Sequence, residues 1–441
     1  MLVFSRAEPL TVCRQRRYNP PLVEMQPMTI SSTADIARWV DDALSSVSVY
    51  DLHTHLYPPS FGGLMLWGID ELLCYHYLVA ETMRVSELSC EQFWAMPRPQ
   101  QAEHIWRKLF VERAPVSEAC RGVLTVLRRL GLDTSSKNLE SFREFFRAHS
   151  PQQYTDLVFR LANVHTVVMT NDALDPVERE IWLKRGNDDE RFRAALRIDR
   201  LLLDWPAVGQ TLRGYGYQAS PDLSATSMRE IRRFLDEWID RMDALYVAVS
   251  LSWTWRYPDD SPATLILDQA VLPVARERGI PFAAMVGVSR QVNPALRLAG
   301  DSVGRADITS VERLCARNPD NTFLITMLSR ENQHELAVTA RKMRNMMLFG
   351  CWWFLNNPSL IEEITRMRME LLGTSFIPQH SDARVLDQII YKWDHSRAVI
   401  AKVMKDKFAD LAATGWPVSE DEVRRTAELY LSGNCRTCLK R

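Results

Sequence analysis

His53 and His55, two imidazoles two residues apart in Val49-Tyr50-Asp51-Leu52-His53-Thr54-His55-Leu56, are the residues whose types and spacing most directly suggest chemistry. They follow a short β-prone run, Val47 to Tyr50. In a strand, residues i and i+2 share a face, so both rings project together. At the C-terminal end of a central strand this suits two nitrogen ligands on one metal ion, with zinc–nitrogen distances near ~2.0–2.1 Å. The alternative is a pair of unrelated surface histidines, because HxH arises readily by chance. Tyr57-Pro58-Pro59-Ser60-Phe61-Gly62-Gly63 favours a site, since Pro and Gly stop the strand and open a loop.

The elements that must position these rings follow a regular rhythm. Besides the HxH strand, strand candidates fall at 163–170, 194–199, 244–250, 281–288, 322–327, 345–350 and 374–378. Helical patterns over 175–185, 225–241, 263–278, 309–317, 331–342, 358–371 and 383–407 separate or follow them. Short apolar strands alternating with helices predict a parallel sheet. About eight such units predict a (β/α)8 TIM barrel, with its active site at the C-terminal strand ends. Ser31-Ser32-Thr33-Ala34-Asp35 offers N-caps for a helix through Leu44. From about 69 to 160 the pattern is almost wholly helical, starting with one helix from Ile69 toward Arg84, and predicts an insertion after strand 1. Residues 1–30 read as a poorly ordered extension, and 31–441 as one catalytic barrel domain.

The 441 residues carry a formal net charge of −1, which argues against nucleic acid or an anionic membrane as partner. No apolar run is long enough to span a bilayer, and residues 1–17 lack a signal-peptide pattern. The eight cysteines form no disulfide framework, so reduced thiols and a cytoplasmic location are expected. Cys435-Arg436-Thr437-Cys438 is a lone CxxC with no second pair, a poor candidate for zinc or redox chemistry.

The predicted strand ends supply further polar groups: Thr170-Asn171-Asp172, Arg197 and Asp199, Arg290, Arg330-Glu331-Asn332, Trp352-Trp353-Phe354, and Gln379-His380-Ser381-Asp382-Ala383-Arg384. The last and first strands are neighbours in a closed barrel, so Asp382 is a candidate third ligand beside His53 and His55. The alternative reading is only an N-cap of the helix expected from Ala383, and the two roles are not exclusive. Arg197 and Arg384 suit a carboxylate-bearing substrate, gripped by the guanidinium fork. Trp353 is core, or the floor of a sugar-sized pocket.

Taken in order, these pieces resemble the uronate (glucuronate) isomerase family, a divergent branch of the amidohydrolase superfamily. The resemblance is carried by Asp51-Leu52-His53-Thr54-His55-Leu56, His76-Tyr77, Thr170-Asn171-Asp172, Leu196-Arg197-Ile198-Asp199-Arg200, Ser329-Arg330-Glu331-Asn332, Gly350-Cys351-Trp352-Trp353-Phe354 and Ser381-Asp382-Ala383-Arg384. It implies a distorted, amidohydrolase-like barrel that isomerises D-glucuronate to D-fructuronate or D-galacturonate to D-tagaturonate. It implies His53, His55 and Asp382 as ligands of a divalent metal, zinc first. It further implies Asp382, Tyr77, His76 and Arg384 as the catalytic set, with Arg197, Trp353 and Arg330 binding substrate. The expected partner is a small hexuronate, and the expected assembly a homo-oligomer.

This chain departs from the family pattern in reading Met285-Val286-Gly287 where a fifth-strand histidine is expected, and in Leu78 and Val79 after the His-Tyr pair. Two rival functions are a metal-dependent hydrolase or lactonase of a sugar acid, and a non-catalytic sugar-acid-binding barrel. A hydrolytic centre usually needs more ligands than His53, His55 and Asp382.

Overall fold

The structure, a computed structural model, describes residues 32–439. The extension expected over 1–30 lies outside the described residues. Strands β1 (Val49–Thr54), β2 (Val164–Asn171), β3 (Phe192–Arg197), β4 (Val247–Ser252), β5 (Phe282–Ser289), β7 (Phe323–Met327) and β8 (Met346–Leu348) pair in parallel in that order. The two-residue β6 (Ser302–Val303), which the sequence pattern does not announce, pairs antiparallel with β5. The curled sheet and its crossover helices form the predicted distorted barrel.

Almost every strand residue is buried, because both faces of the sheet are covered. Alternation along the strands sorts these residues into two cores. Leu52, Val168, Ala195, Ala248, Ala283, Met285, Leu324 and Phe349 fill the barrel interior. Val49, Val167, Leu196, Val249, Ala284 and Ile325 pack outward with the helices. Tyr50, Cys435, Cys438 and Leu439 also belong to the inner cluster. The CxxC therefore packs against the sheet from the terminal helix Asn434–Leu439, with Cys435 Sγ donating to the Tyr50 carbonyl at 3.7 Å.

The strand expected at 374–378 shrinks to a single bridge between Phe349 and Ile377. Ile377 N–H donates to Leu348 O at 2.9 Å and Gly350 N–H to Ile377 O at 2.8 Å. Pro378 then has no N–H to continue the ladder. The chain instead runs on to β1, where Asp382 N–H donates to His53 O at 3.0 Å and His55 N–H to Ala383 O at 2.7 Å. These bonds close the ring between its last and first segments.

Several boundaries differ from the sequence expectation. β3 ends at Arg197 and Asp199 already begins the short helix Asp199–Leu203, so the strand lies earlier than 194–199. The helix expected from Ala383 begins at Gln388 and runs to Ala413. Before it, the Gln388 side-chain oxygen accepts the N–H groups of Arg384 and Val385 at 2.8 and 3.1 Å, holding a turn where helix was expected. Asp382 is therefore not its N-cap. Between β1 and β2 lies a run of helices from Ile69–Leu73 to Pro151–Ala162. The single helix expected from Ile69 is two, Ile69–Leu73 and His76–Met83, broken at the extended Tyr75. That break puts His76 and Tyr77 at a helix start.

Candidate active site

A register shift aims the two histidines. Between Asp51 and Thr54, β1 spends three residues where β2 spends two, Val167 to Met169. With strict alternation His53 would face outward with Val49 and Asp51. The extra residue turns it inward instead, as bulges near active sites do. Its ring then lies 5.2 Å from that of His380, 6.3 Å from that of Phe349 and 5.3 Å from that of His55.

Asp382 meets both imidazoles. Its Oδ1 is 3.7 Å from His53 Nε2 and 3.3 Å from His55 Nε2. One ligand atom from each of the three residues lies within 4.8 Å of the others. Asp382 has φ +51°, the left-handed region that favours glycine, although Asp tolerates it better than most residues. Its N–H bond to His53 O fixes that strained backbone against β1.

Two hydroxyl groups fix the proton on each ring. Tyr246 Oη donates to Leu52 O at 2.7 Å and lies 3.3 Å from His53 Nδ1. A hydroxyl has one proton, so the contact to His53 must be donated by Nδ1–H. Thr170 Oγ1 likewise donates to Thr54 O at 3.0 Å and accepts from His55 Nδ1 at 2.8 Å. Both rings therefore keep Nε2 bare. Burial pushes His53 down to about 3, helped by His55, and burial also holds His55 well below the ordinary histidine range. Neutral rings with bare Nε2 atoms are what a metal ion requires. His53 Nε2 and Asp382 Oδ1 are also buried without a hydrogen-bond partner among the described residues. The donor set fits a divalent metal ion.

Met285 lies on β5 in the barrel interior, 2% exposed, and offers no nitrogen or oxygen to this group. Lys392, from the helix outside the barrel, donates to Ser381 O at 2.5 Å, and burial lowers its ammonium to about 8. Asp51 accepts from Ser381 N–H at 3.0 Å and from Trp393 Nε1–H at 2.8 Å. These bonds tie the 381–383 turn to the barrel wall.

His76 and Tyr77 come from the insertion. Burial holds His76 well below the ordinary histidine range, with Arg384 next in effect, and holds Tyr77 well above the ordinary tyrosine range. His76 Nδ1 and Tyr77 Oη are buried, and among the described residues His76 Nδ1 has no hydrogen-bond partner. Trp353 Nε1–H donates to His76 Nε2 at 3.1 Å. Arg384 exerts its positive charge on His55, His76 and Tyr77, and among the described residues its guanidinium has no ion-pair or hydrogen-bond partner. Arg197 also acts on His53 and His55, but it is gripped by Asp199 through two bonds of 2.8 and 2.9 Å. Burial opposes its charge, and Asp199 more than offsets that. Arg330 is not brought into this group. Its side chain is 56% exposed and pairs with Glu363 at 3.0 Å.

Of the remaining residues of the group, Tyr246 carries no motif that marks it, and Thr170 and His380 stand in the strand-end runs 170–172 and 379–384 without a role of their own. Tyr246 and Thr170 act through hydroxyl contacts between strands. His380 is fully buried, with neither ring nitrogen hydrogen-bonded among the described residues. Its only signal was its place two residues before Asp382.

No family model matches the chain, and no curated protein matches it. Among solved structures, a uronate isomerase from Bacillus halodurans is 51% identical, with the match covering 94% of this chain and 98% of that one at a TM-score of 0.92. The chain belongs to the uronate isomerase family. A uronate isomerase from Thermotoga maritima (13% identity, 92% of this chain and 97% of that one, TM-score 0.75) shares its fold. So does a glucuronate isomerase from Caulobacter crescentus (14% identity, 93% and 95%, TM-score 0.75).

Proposed function

We propose that this protein is a hexuronate aldose–ketose isomerase, converting D-glucuronate to D-fructuronate or D-galacturonate to D-tagaturonate. The observation that carries the reading is the 51% identity, over nearly the whole of both chains, to a uronate isomerase. The site chemistry supports it. Arg384, whose guanidinium has no partner among the described residues, suits the sugar carboxylate, and Arg197 adds charge nearby while anchored to Asp199. Trp353 borders the sugar beside His76.

Isomerisation moves a proton from C2 to C1 and another between O2 and O1. Asp382 takes the C2 proton on a carboxylate oxygen, where it exchanges with solvent, and the carboxyl group then delivers a proton to C1 of the enediol. Tyr77, whose hydroxyl burial keeps protonated, gives a proton to O1 as the enediol forms and recovers one from O2 as the ketone forms. Arg384 and His76 stabilise the negative charge that develops on the sugar oxygens. A divalent ion held by His53, His55 and Asp382, zinc in this proposal, would supply positive charge that orients those oxygens. Substrate and a homo-oligomeric assembly complete the proposal.

The test is ketose formation from each hexuronate by the purified protein and by Asp382→Asn. The expected result is conversion of at least one sugar by the parent and none by the folded variant. Conversion of neither sugar by the metal-loaded parent would sink the proposal, and near-normal turnover by Asp382→Asn would remove that residue from the mechanism.

A further inference from the structure

One hydrogen bond decides what His76 can do. An indole N–H only donates, so the 3.1 Å bond from Trp353 Nε1 makes His76 Nε2 the bare, accepting nitrogen. The ring proton then sits on Nδ1, which is buried and has no partner among the described residues. We propose that Trp353 is a positioning residue that locks His76 as the neutral Nδ1–H tautomer, so that His76 keeps its own proton throughout the reaction and acts as a hydrogen-bond donor to a sugar oxygen. The choice of a sugar oxygen as acceptor rests on the isomerase reading; the tautomer does not.

The placement of Trp353 supports a purpose-built lock. Its backbone sits at φ +49°, a conformation that a bulky side chain rarely adopts outside a site that requires it. The indole is 5% exposed. Phe354 stacks on it at 4.8 Å and 18°, and the Arg290 guanidinium lies 5.8 Å from its ring centre. His76 itself is wedged between Tyr75 and Tyr77, with ring centres 4.1 and 4.5 Å away. A second proton on His76 would set an Nε2–H against the indole N–H. Burial and the Arg384 charge oppose that cation as well.

The consequence for the reaction is a division of labour. The proton exchanged between O2 and O1 passes through the Tyr77 hydroxyl, which gives one to O1 as the enediol forms and regains one from O2 as the ketone forms. His76 tightens and relaxes a hydrogen bond while its N–H bond stays intact. A ring whose basic nitrogen is already engaged has no site on which to receive a proton from the sugar.

The test reads the tautomer first, without substrate. Ring 15N shifts of His76 should show protonated Nδ1 and bare Nε2 in the parent, and should move toward the Nε2–H pattern in Trp353→Phe. The same variant should lose kcat by on the order of 10-fold to 100-fold with KM changed by less than about threefold. His76→Asn, whose amide N–H falls near the Nδ1 position, should retain at least about tenfold more kcat than His76→Gln, with no pH limb lost. An Nε2–H tautomer in the parent overturns the proposal, even if Trp353→Phe fails to fold. So does an unchanged 15N pattern in a folded Trp353→Phe, or equal activity of the Asn and Gln variants. A parent that converts neither hexuronate defeats the isomerase reading, and the 15N comparison still decides the tautomer.

Discussion

Thr170→Val is the perturbation that most cleanly separates the two shells of this site. Valine keeps the shape of threonine and removes only Oγ1. In the protein that oxygen donates to Thr54 O at 3.0 Å and accepts from His55 Nδ1 at 2.8 Å, at a position 3% exposed. Two effects follow. The His55 proton loses its partner and the Thr54 carbonyl loses one donor, which costs stability by roughly 1–3 kcal/mol. The ring is also released to carry its proton on Nε2, the atom that faces Asp382, where a proton blocks metal binding. Partners of this kind typically contribute about 10–100-fold to metal affinity. Titration of zinc against a competing chelator should therefore show a 10–100-fold loss in Thr170→Val, and urea unfolding of the metal-free protein should give the stability loss. Thr170→Ser, which keeps the hydroxyl, should bind zinc within about threefold of the parent. If the valine variant binds zinc as tightly as the serine variant, the tautomer argument for His55 is wrong.

The two arginines should separate in kinetics. Arg384→Met should raise KM for a hexuronate by about 10–100-fold through loss of a charged hydrogen-bonding partner, whereas the exposed Arg330→Met should change it by less than about twofold; equal effects would contradict the assignment. Gly350→Ala should lower stability by on the order of 3 kcal/mol in thermal or urea unfolding, because φ is +68° and the new Cβ would lie 1.9 Å from His380 Nδ1. A variant as stable as the parent would mean that the His380 packing is loose. Glu178 is raised to about 7, chiefly by burial, against its ordinary value of 4.5. A raised carboxyl contributes stability that is present below about pH 4.5 and is lost as pH rises through about 7. In Glu178→Gln an oxygen can still accept from Asn171 Nδ2 and Asp172 N–H. Relative to the parent, this variant should gain roughly 1–3 kcal/mol on going from pH 5 to pH 8. The same stability difference at both pH values would refute the raised carboxyl.

The barrel was legible because two-sided burial leaves a strong mark. Segments such as Phe282–Ser289 and Phe323–Met327 are short and apolar, and amphipathic helices separate them. The closing segment was harder to read, because Pro378 halts its ladder and closure passes to side-chain and backbone contacts around Asp382. His53 and His55 stand out through a period of two and the Pro-rich turn after them, and they do share a face. Which face they share depends on a register shift that only the pairing with β2 reveals. Asp382 was readable as ligand or as helix cap, and the later helix start at Gln388 removed the second reading. Arg197, Arg330 and Arg384 looked alike in sequence, because what separates them is the partner each finds: Asp199, Glu363 and none among the described residues. Tyr246 and Lys392 escaped notice for the same reason, and Thr170, although it stands in the strand-end run Thr170-Asn171-Asp172, had no role assigned to it. Their roles are contacts with residues distant in the chain.

The central claim is proton transfer through an enediol, and an NMR time course in D2O with D-glucuronate and with D-galacturonate addresses it most directly. The account predicts ketose signals from at least one sugar, with solvent deuterium appearing at C1 in the zinc-loaded protein and no conversion by Asp382→Asn. A ketose formed with no deuterium at C1 under any condition would point to direct transfer of hydrogen. Unchanged sugar from both substrates would contradict the account altogether.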